Sequence, residues 1–324
     1  MNSLTTLQGM LLRAGGSALS RGALLILIYH RVLAQRDALL PGEPTAAEFA
    51  AQMDLLKSLC HVLPLGEAVE RLRRGSLPPR AACISFDDGY ANNLEIAAPI
   101  LQARGLPAVV FVASGFAAGG CMWNDVVIEA LRVAPVDIDL GDFGIGPLHL
   151  GDTASRAQAL QTVLPALKYL PPAERMEKAQ AIAERAGARI PRQPMMTAAQ
   201  LRQLGGFGIE VGAHTITHPI LTAIDARSAE EEIAGSKAAL EAITGRAVTL
   251  FAYPNGRPGR DYDPTHVQMV RRCGFSAAVS TAWGASTSSC DPLQLPRMLP
   301  WDRSAFRFGL RLVRSFGERR IHQA

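Results

Sequence analysis

Ser85-Phe86-Asp87-Asp88-Gly89-Tyr90 ends the apolar run Ala82 to Phe86 with two carboxylates and a glycine. A short, uniformly apolar run bounded by turn residues reads as a strand buried on both faces, the kind found in parallel sheets. Six more such runs lie outward from it: Leu24 to Tyr29, Ala108 to Val112, Ile209 to Ala213, Val248 to Tyr253, Ser276 to Ser280 and Leu293 to Leu299. Helical patterns separate them, at Ala46 to Cys60, Gly66 to Arg74, Leu94 to Arg104, Met196 to Leu204, Ser228 to Ile243 and Pro264 to Cys273. Thr45 with Glu48 forms a capping box ahead of the first of these, and Gly105 and Gly245 stand as C-caps behind two others. Alternation of strand and helix over about seven units predicts a closed or nearly closed parallel barrel. The alternation breaks between Gly115 and Pro194, where Asp137 to Gly151 is loop-like and Ala154 to Ala188 mostly helical, so an insertion of about residues 116–194 is expected within the barrel.

In such a barrel the reactive groups gather where the strands run out. His30 follows the first run, Asp87 and Asp88 the second, His214 and His218 the fourth, and Pro254-Asn255-Gly256 the fifth. Two adjacent ionised carboxylates repel unless a cation or hydrogen bonds give them different roles, so one can bind a metal while the other stays free as a base. His214-Thr215-Ile216-Thr217-His218-Pro219 adds two imidazoles four residues apart. Two histidines and an aspartate make the three-ligand set of a hydrolytic metal site, which keeps one position open for water. The zinc-protease helix, with glutamate after its first histidine, is a different arrangement; Thr215 stands at that place, so the base comes from elsewhere. Alone, Asp-Asp-Gly is a turn and a histidine is a satisfied polar residue; their pairing selects the metal-site reading.

Composition narrows the class further. The 324 residues hold 33 Lys plus Arg against 29 Asp plus Glu, a net charge of +4 too small and too scattered for a nucleic-acid surface. Five cysteines, at 60, 83, 121, 273 and 290, include no Cys-x-x-Cys pair and read as packing thiols of a reducing compartment. The N-terminal segment, residues 1–22, has no secretory apolar core, and Ala23 to Tyr29 is too short to span a bilayer, so a cytoplasmic protein is expected. Leu4 to Leu19 and Phe306 to Ile321 have amphipathic helical patterns, and the second carries Arg307, Arg311, Arg314, Arg319 and Arg320. A basic amphipathic helix suits the anionic inner face of a membrane, so peripheral contact through the terminal helices is an expectation.

Taken together, these motifs resemble the polysaccharide deacetylases with a NodB-homology domain, carbohydrate esterase family four. The double aspartate is similar to that family's first motif, His214 to His218 to its second, and Phe251-Ala252-Tyr253-Pro254-Asn255-Gly256 to its third. The resemblance covers roughly Leu24 to Pro300 and implies a distorted (β/α)7 barrel that removes N-acetyl groups from amino sugars. It also implies one divalent metal, usually zinc, with Co2+, Ni2+ or Mn2+ as substitutes. By position, Asp87 is then the general base, and Asp88, His214 and His218 are the metal ligands. Tyr90, Trp123, Asn124, Tyr253, Pro254, Asn255, Arg257 and Arg297 become the residues expected to line the substrate site, with the oxyanion donor at or near Tyr90.

Two departures accompany the resemblance. Many members hold the base with an arginine in the third motif; Ala252 occupies that place, leaving Arg257 or Arg297 to substitute. The Leu-x-His element that supplies the general acid is replaced by Leu295-Pro296-Arg297. His30, in Ile28-Tyr29-His30-Arg31-Val32, is the alternative acid, because this opening resembles the exopolysaccharide branch in which an N-terminal histidine has that role. The expected organisation is an N-terminal segment to residue 22, a catalytic domain over 23–302 and a basic tail over 303–324. The expected substrate is an N-acetylated polysaccharide, oligosaccharide or lipid-linked precursor. Hydrolysis of another bond on the same scaffold (formamide, O-acetyl ester or cyclic imide) and glycan binding without catalysis are the alternatives.

Overall fold

The computed structural model describes residues 19–190, 194–318 and 322–324. Seven strands form the barrel: β1 (Ala23–Tyr29), β3 (Ala81–Phe86), β4 (Ala108–Val112), β7 (Ile209–Ala213), β8 (Leu250–Ala252), β9 (Ala277–Trp283) and β11 (Leu295–Arg297). They are hydrogen-bonded in that order, each pair parallel. Two-residue β2 (His61–Val62) pairs with the start of β3, and β10 (Ser286–Thr287) pairs antiparallel with the start of β1. Beyond β10 the same edge of β1 is taken by Met298, whose amide donates to Ile26 O and whose carbonyl accepts from Ile28 N. This contact closes the ring, giving the expected distorted (β/α)7 barrel.

Each strand feeds two layers, because successive side chains point to opposite faces. In β1, Leu25, Leu27 and Tyr29 pack outward with helices, while Leu24 and Ile26 point into the barrel against Val109, Phe111 and Val279. The outer helices are α1 (Ala46–Leu59), α3 (Ala98–Gln102), α7 (Ala198–Gln203), α8 (Ala226–Thr244) and α9 (Pro264–Arg272), and α10 (Ala305–Gly317) follows the last strand; α2 (Leu65–Arg73) instead packs its Leu65, Ala68, Val69 and Leu72 with the inward-facing Leu24 and Ile26. The pattern at Leu94 to Arg104 resolves into a π-turn, Asn93–Ala97, running into α3. Pro99 lacks the amide that a regular helix needs there, which accounts for the widened turn.

The segment between β4 and β7 has an apolar core of its own, built by α4 (Trp123–Val133), α5 (Thr153–Lys168) and α6 (Pro172–Arg185) through Val127, Leu131, Val163, Leu167 and Ile182. The Asp137 to Gly151 stretch, expected as loop, contains an antiparallel hairpin of β5 (Asp137–Asp139) and β6 (Pro147–His149). Strands three residues long, interrupted by Gly141, Gly144 and Gly146, are too brief to produce a period-two pattern. The expected helix over Phe306 to Ile321 is α10; Arg319, Arg320 and Ile321 lie outside the described residues, as do residues 4–18 of the other expected terminal helix.

Candidate active site

The double aspartate leaves β3 through a turn tied to both neighbouring strands, with Asp87 N donating to Tyr29 O and Ala113 N to Asp88 O. Asp88 (φ 76°) and Gly89 (φ 89°) are both left-handed, which swings the chain off the strand axis. A Cβ on Gly89 would sit 3.1 Å from Val112 Cγ1, so this turn favours glycine twice over. The histidine motif makes an equally sharp exit from β7: Thr215 (φ 64°) and His218 (φ 57°) are left-handed. For a β-branched threonine that conformation is costly, on the order of 1–3 kcal/mol, and persists only where its surroundings enforce it. Here the enforcer is Glu232 on α8, whose carboxylate accepts from Ile216 N (2.7 Å), Thr217 N (2.8 Å) and Thr217 Oγ1 (2.6 Å). Thr215 Oγ1 in turn accepts from His218 N at 3.1 Å.

These two turns bring Asp88 Oδ1 to 3.5 Å from His214 Nε2 and 3.4 Å from His218 Nε2, with a ligand atom of each within 4.8 Å of the others. Direct charge-assisted hydrogen bonds run about 2.7–2.9 Å, so these separations are too long for strong pairing. They suit a shared ion: a tetrahedral site with bonds of about 2.0–2.1 Å sets its donors roughly 3.3 Å apart. His214 Nδ1 lies 2.7 Å from Ala252 O, and since a carbonyl only accepts, Nδ1 carries the proton and Nε2 presents a lone pair to the cluster. Burial, together with His214 and Arg175, lowers His218 to about 3 against the opposing pull of Asp88, keeping the imidazole neutral as a ligand must be. Burial pushes Asp88 up, but the surrounding histidines outweigh it and hold the carboxylate ionised. The residues present therefore fit a divalent ion.

Asp87 faces a different partner. Arg297, 2% exposed, crosses the barrel mouth from β11 and grips both oxygens of Asp87, Nη1 to Oδ1 at 2.6 Å and Nη2 to Oδ2 at 2.7 Å. Its remaining donors go to Ser280 O and Ser85 Oγ. Burial raises the pKa of Asp87, and Arg297, followed by His214 and His30, more than reverses this, leaving it below the usual carboxylate range. The departure at Ala252 is thus compensated from another strand, by Arg297 and not by Arg257. Ala252 contributes its carbonyl to His214 instead.

Above these groups opens a cavity of about 510 Å³. His30, Asp87, Asp88, His214 and His218 lie on it, Trp123 and Asn124 line it from α4, and Asn255 and Arg257 from the β8 exit. One further wall is a face of α5, Leu160, Gln161, Leu164, Pro165 and Lys168, at helical spacing. His30 is set by its neighbours: Tyr29 OH donates to Gln52 Oε1 at 2.9 Å, and Arg31 is ion-paired with Asp125 and stacked 3.7 Å over the Tyr90 ring. Asn93 Nδ2 donates to the His30 carbonyl.

Four residues expected to line the substrate site sit elsewhere. Tyr90 is buried beneath Arg31, its hydroxyl 3.8 Å from Met122 Sδ. Tyr253 is buried against Tyr262 with ring centroids 3.8 Å apart, and its hydroxyl donates to Leu293 O. Arg297 is spent on Asp87. Pro254 is buried and does not line the cavity. Sequence reasoning also passed over Glu232 and Lys168. Glu232 lies on the patterned surface of a long helix, where a glutamate gives no signal of its own.

Fold and site together define a (β/α)7-barrel protein with an Asp-His-His cluster beside an arginine-held aspartate. A family model described as polysaccharide deacetylase matches residues 173–278, a range that includes both histidines and the third motif. YxkH of Bacillus subtilis (strain 168), whose name places it among the polysaccharide deacetylases, is 21% identical over 264 residues, 81% of this chain and 66% of its own length. The Streptococcus pyogenes deacetylase PplD, solved in complex with acetate, has TM-score 0.60 at 18% identity, covering 91% of this chain and 98% of that one. IcaB from Ammonifex degensii gives TM-score 0.57 at 21% identity over 89% and 97%. The chain thus has the fold of these solved proteins, and its residues 173–278 match the polysaccharide deacetylase model.

Proposed function

We propose that the chain hydrolyses N-acetyl groups on the amino sugars of a glycan, with one divalent metal, zinc first among the candidates, held by Asp88, His214 and His218. The observation that carries this reading is the separation of roles between neighbouring aspartates: Asp88 faces two imidazoles, while Asp87 faces Arg297 and the cavity. A bound zinc acidifies water towards a pKa of about 7 and polarises a carbonyl. Asp87, ionised throughout the neutral range, accepts the proton of the attacking water. Arg297 fixes both of its oxygens, so the carboxylate meets the water in one orientation. His30, on the same cavity, then donates a proton to the departing amine, and Trp123 offers an apolar face to the sugar ring. Acetate bound to the Streptococcus pyogenes protein is what such a reaction releases.

The test pairs elemental analysis with acetate release from N-acetylglucosamine oligomers. About one metal per wild-type chain, lost in Asp88→Ala, is expected, and Asp87→Asn should keep the metal while losing roughly 10²–10⁴-fold in rate. No metal in the wild type after zinc addition would sink the reading. Metal with activity only on formyl, O-acetyl or imide substrates would keep the site and change the bond.

The outer face of α10 supports peripheral contact with anionic lipid. Phe306 (46% exposed) and Leu310 (50%) share that face with Arg307 and Arg314, and Trp301 (53%) and Arg303 precede the helix. The helix carries no acidic residue. The five cysteines are free thiols, which suits the reducing, cytoplasmic compartment we propose.

A further inference from the structure

The mouth of the cavity carries charge that the deacetylation chemistry does not use. Lys168, at the end of α5, and Arg257, after β8, line the cavity from its insertion wall and its barrel wall. Arg260 lines an adjoining depression of about 540 Å³ that shares Arg257 and Thr281 with the cavity. Lys168 Nζ and the Arg260 guanidinium both lie over the Tyr169 ring, at 5.5 and 4.5 Å from its centroid.

Among the described residues none of these three cations makes an ion pair, and none donates a side-chain hydrogen bond. Of the acids near them, Asp261 is fully buried and already occupied, accepting from Arg257 N (3.0 Å) and Tyr169 OH (3.3 Å), and Glu318 lines the adjoining depression but not the cavity. The carboxylates that line the cavity itself are Asp87 and Asp88, both committed to other partners. Burial, and after it the repulsion of Arg257, Arg260 and Arg175, lowers the pKa of Lys168 against the pull of Asp261. Like charges are thus gathered at a cost on two facing walls, where a ligand anion would relieve them.

We propose that Lys168, Arg257 and Arg260 form an anion-binding subsite at the rim of the cavity, and that the glycan processed here carries a negative group, a sugar carboxylate or a phosphate, beside the acetamide-bearing sugar. This rests on the deacetylase reading for the word glycan. The subsite itself rests on the three cations. An acidic sugar entering the cavity places its acetamide over Asp87 and its anion between α5 and the β8 exit. A neutral chain of the same length gains nothing from that wall.

Binding, measured by calorimetry at low and at physiological salt, tests the subsite without asking for turnover. The probes are a hyaluronan tetrasaccharide (carboxylate), N-acetylglucosamine 1-phosphate (phosphate) and a chitin tetrasaccharide (neutral), against the wild-type chain and the triple variant Lys168→Gln, Arg257→Gln, Arg260→Gln. At least one anionic probe is expected to bind tenfold or more tightly than the neutral one. That advantage should shrink with salt and vanish in the triple variant, and the preferred probe identifies the anion. No advantage for either anionic probe, or one that survives the triple substitution, overturns the proposal. If the charge preference holds while acetate release fails on every substrate, the subsite stands and the deacetylase reading falls.

Discussion

Arg297 and Asp87 are 210 positions apart and meet side-on, both nearly sealed from water. A buried ion pair adds little net stability over an apolar pair, but removing one partner strands the other's charge, at a cost of about 3–5 kcal/mol. Asp87 is depressed in the folded chain, so it contributes stability above the unfolded carboxyl pKa of about 3.9, lost as pH falls through the folded value. In Arg297→Gln the sign changes, because burial remains while its main opponent is gone. The acid limb of the pH profile of kcat/KM is therefore expected to move to higher pH. The stability loss, measured by denaturant unfolding, should be largest near pH 7 and smaller near pH 4, where the stranded carboxyl takes up a proton. An acid limb in the same place as in the wild type would show that Arg297 does not set the base.

The loops leaving β3 and β7 are the elements that hold Asp88, His214 and His218 together. Glu232 makes three hydrogen bonds to the histidine loop, and on the other side Gly115 N donates to Ile216 O. A Cβ on Gly115 would stand 2.8 Å from that oxygen. The loop is thus clamped from α8 and from the β4 exit, which offsets the left-handed strain at Thr215 and His218. Glu232→Ala is expected to weaken zinc affinity by about 10–100-fold in chelator competition. If affinity holds while thermal stability falls, Glu232 supports the fold alone. At this scale the sequence is a good guide to position and a poor one to partners. The seven barrel strands are legible because each lies in a short, mostly apolar run, though Glu210 interrupts β7 and Arg297 ends β11, and Asp87, Asp88, His214 and His218 are legible because polar residues at the ends of such runs have few other reasons to be there. Arg297 is ambiguous in the sequence, since only ring closure shows which basic residue reaches Asp87. Pro296 in β11 coincides with a register shift between Leu295 and Arg297. Tyr90 and Tyr253 misled because a tyrosine beside a catalytic motif looks the same whether its ring points into the cavity or beneath it.

On the scale of the molecule the insertion and the barrel are two walls of one cavity, tied by the ion pair of Arg31 with Asp125 and by Arg175, which donates to His218 O at 3.3 Å. Burial raises Asp125 to about 6, with Arg31 opposing it. After the last strand α10 turns one side to solvent, and its cationic, partly apolar face makes a prediction for the whole chain. Sedimentation with vesicles rich in phosphatidylglycerol should bring down the wild type, while Phe306→Asp with Leu310→Asp should stay in the supernatant and keep acetate release from soluble oligomers. Equal sedimentation with neutral phosphatidylcholine vesicles would remove the electrostatic argument.

The ring closes where Met298 meets β1, one residue from the arginine that holds the base, so the first strand waits for nearly the last. During synthesis Asp88 and both histidines are made early, before Glu232 and Ala252, which set the histidines, have been added. The base's own clasp does not arrive for about another 80 residues. A chain cut short before Arg297 would lack both the partner that holds Asp87 and the strand that closes the ring. The barrel's seam therefore ties the setting of Asp87 to completion of the ring.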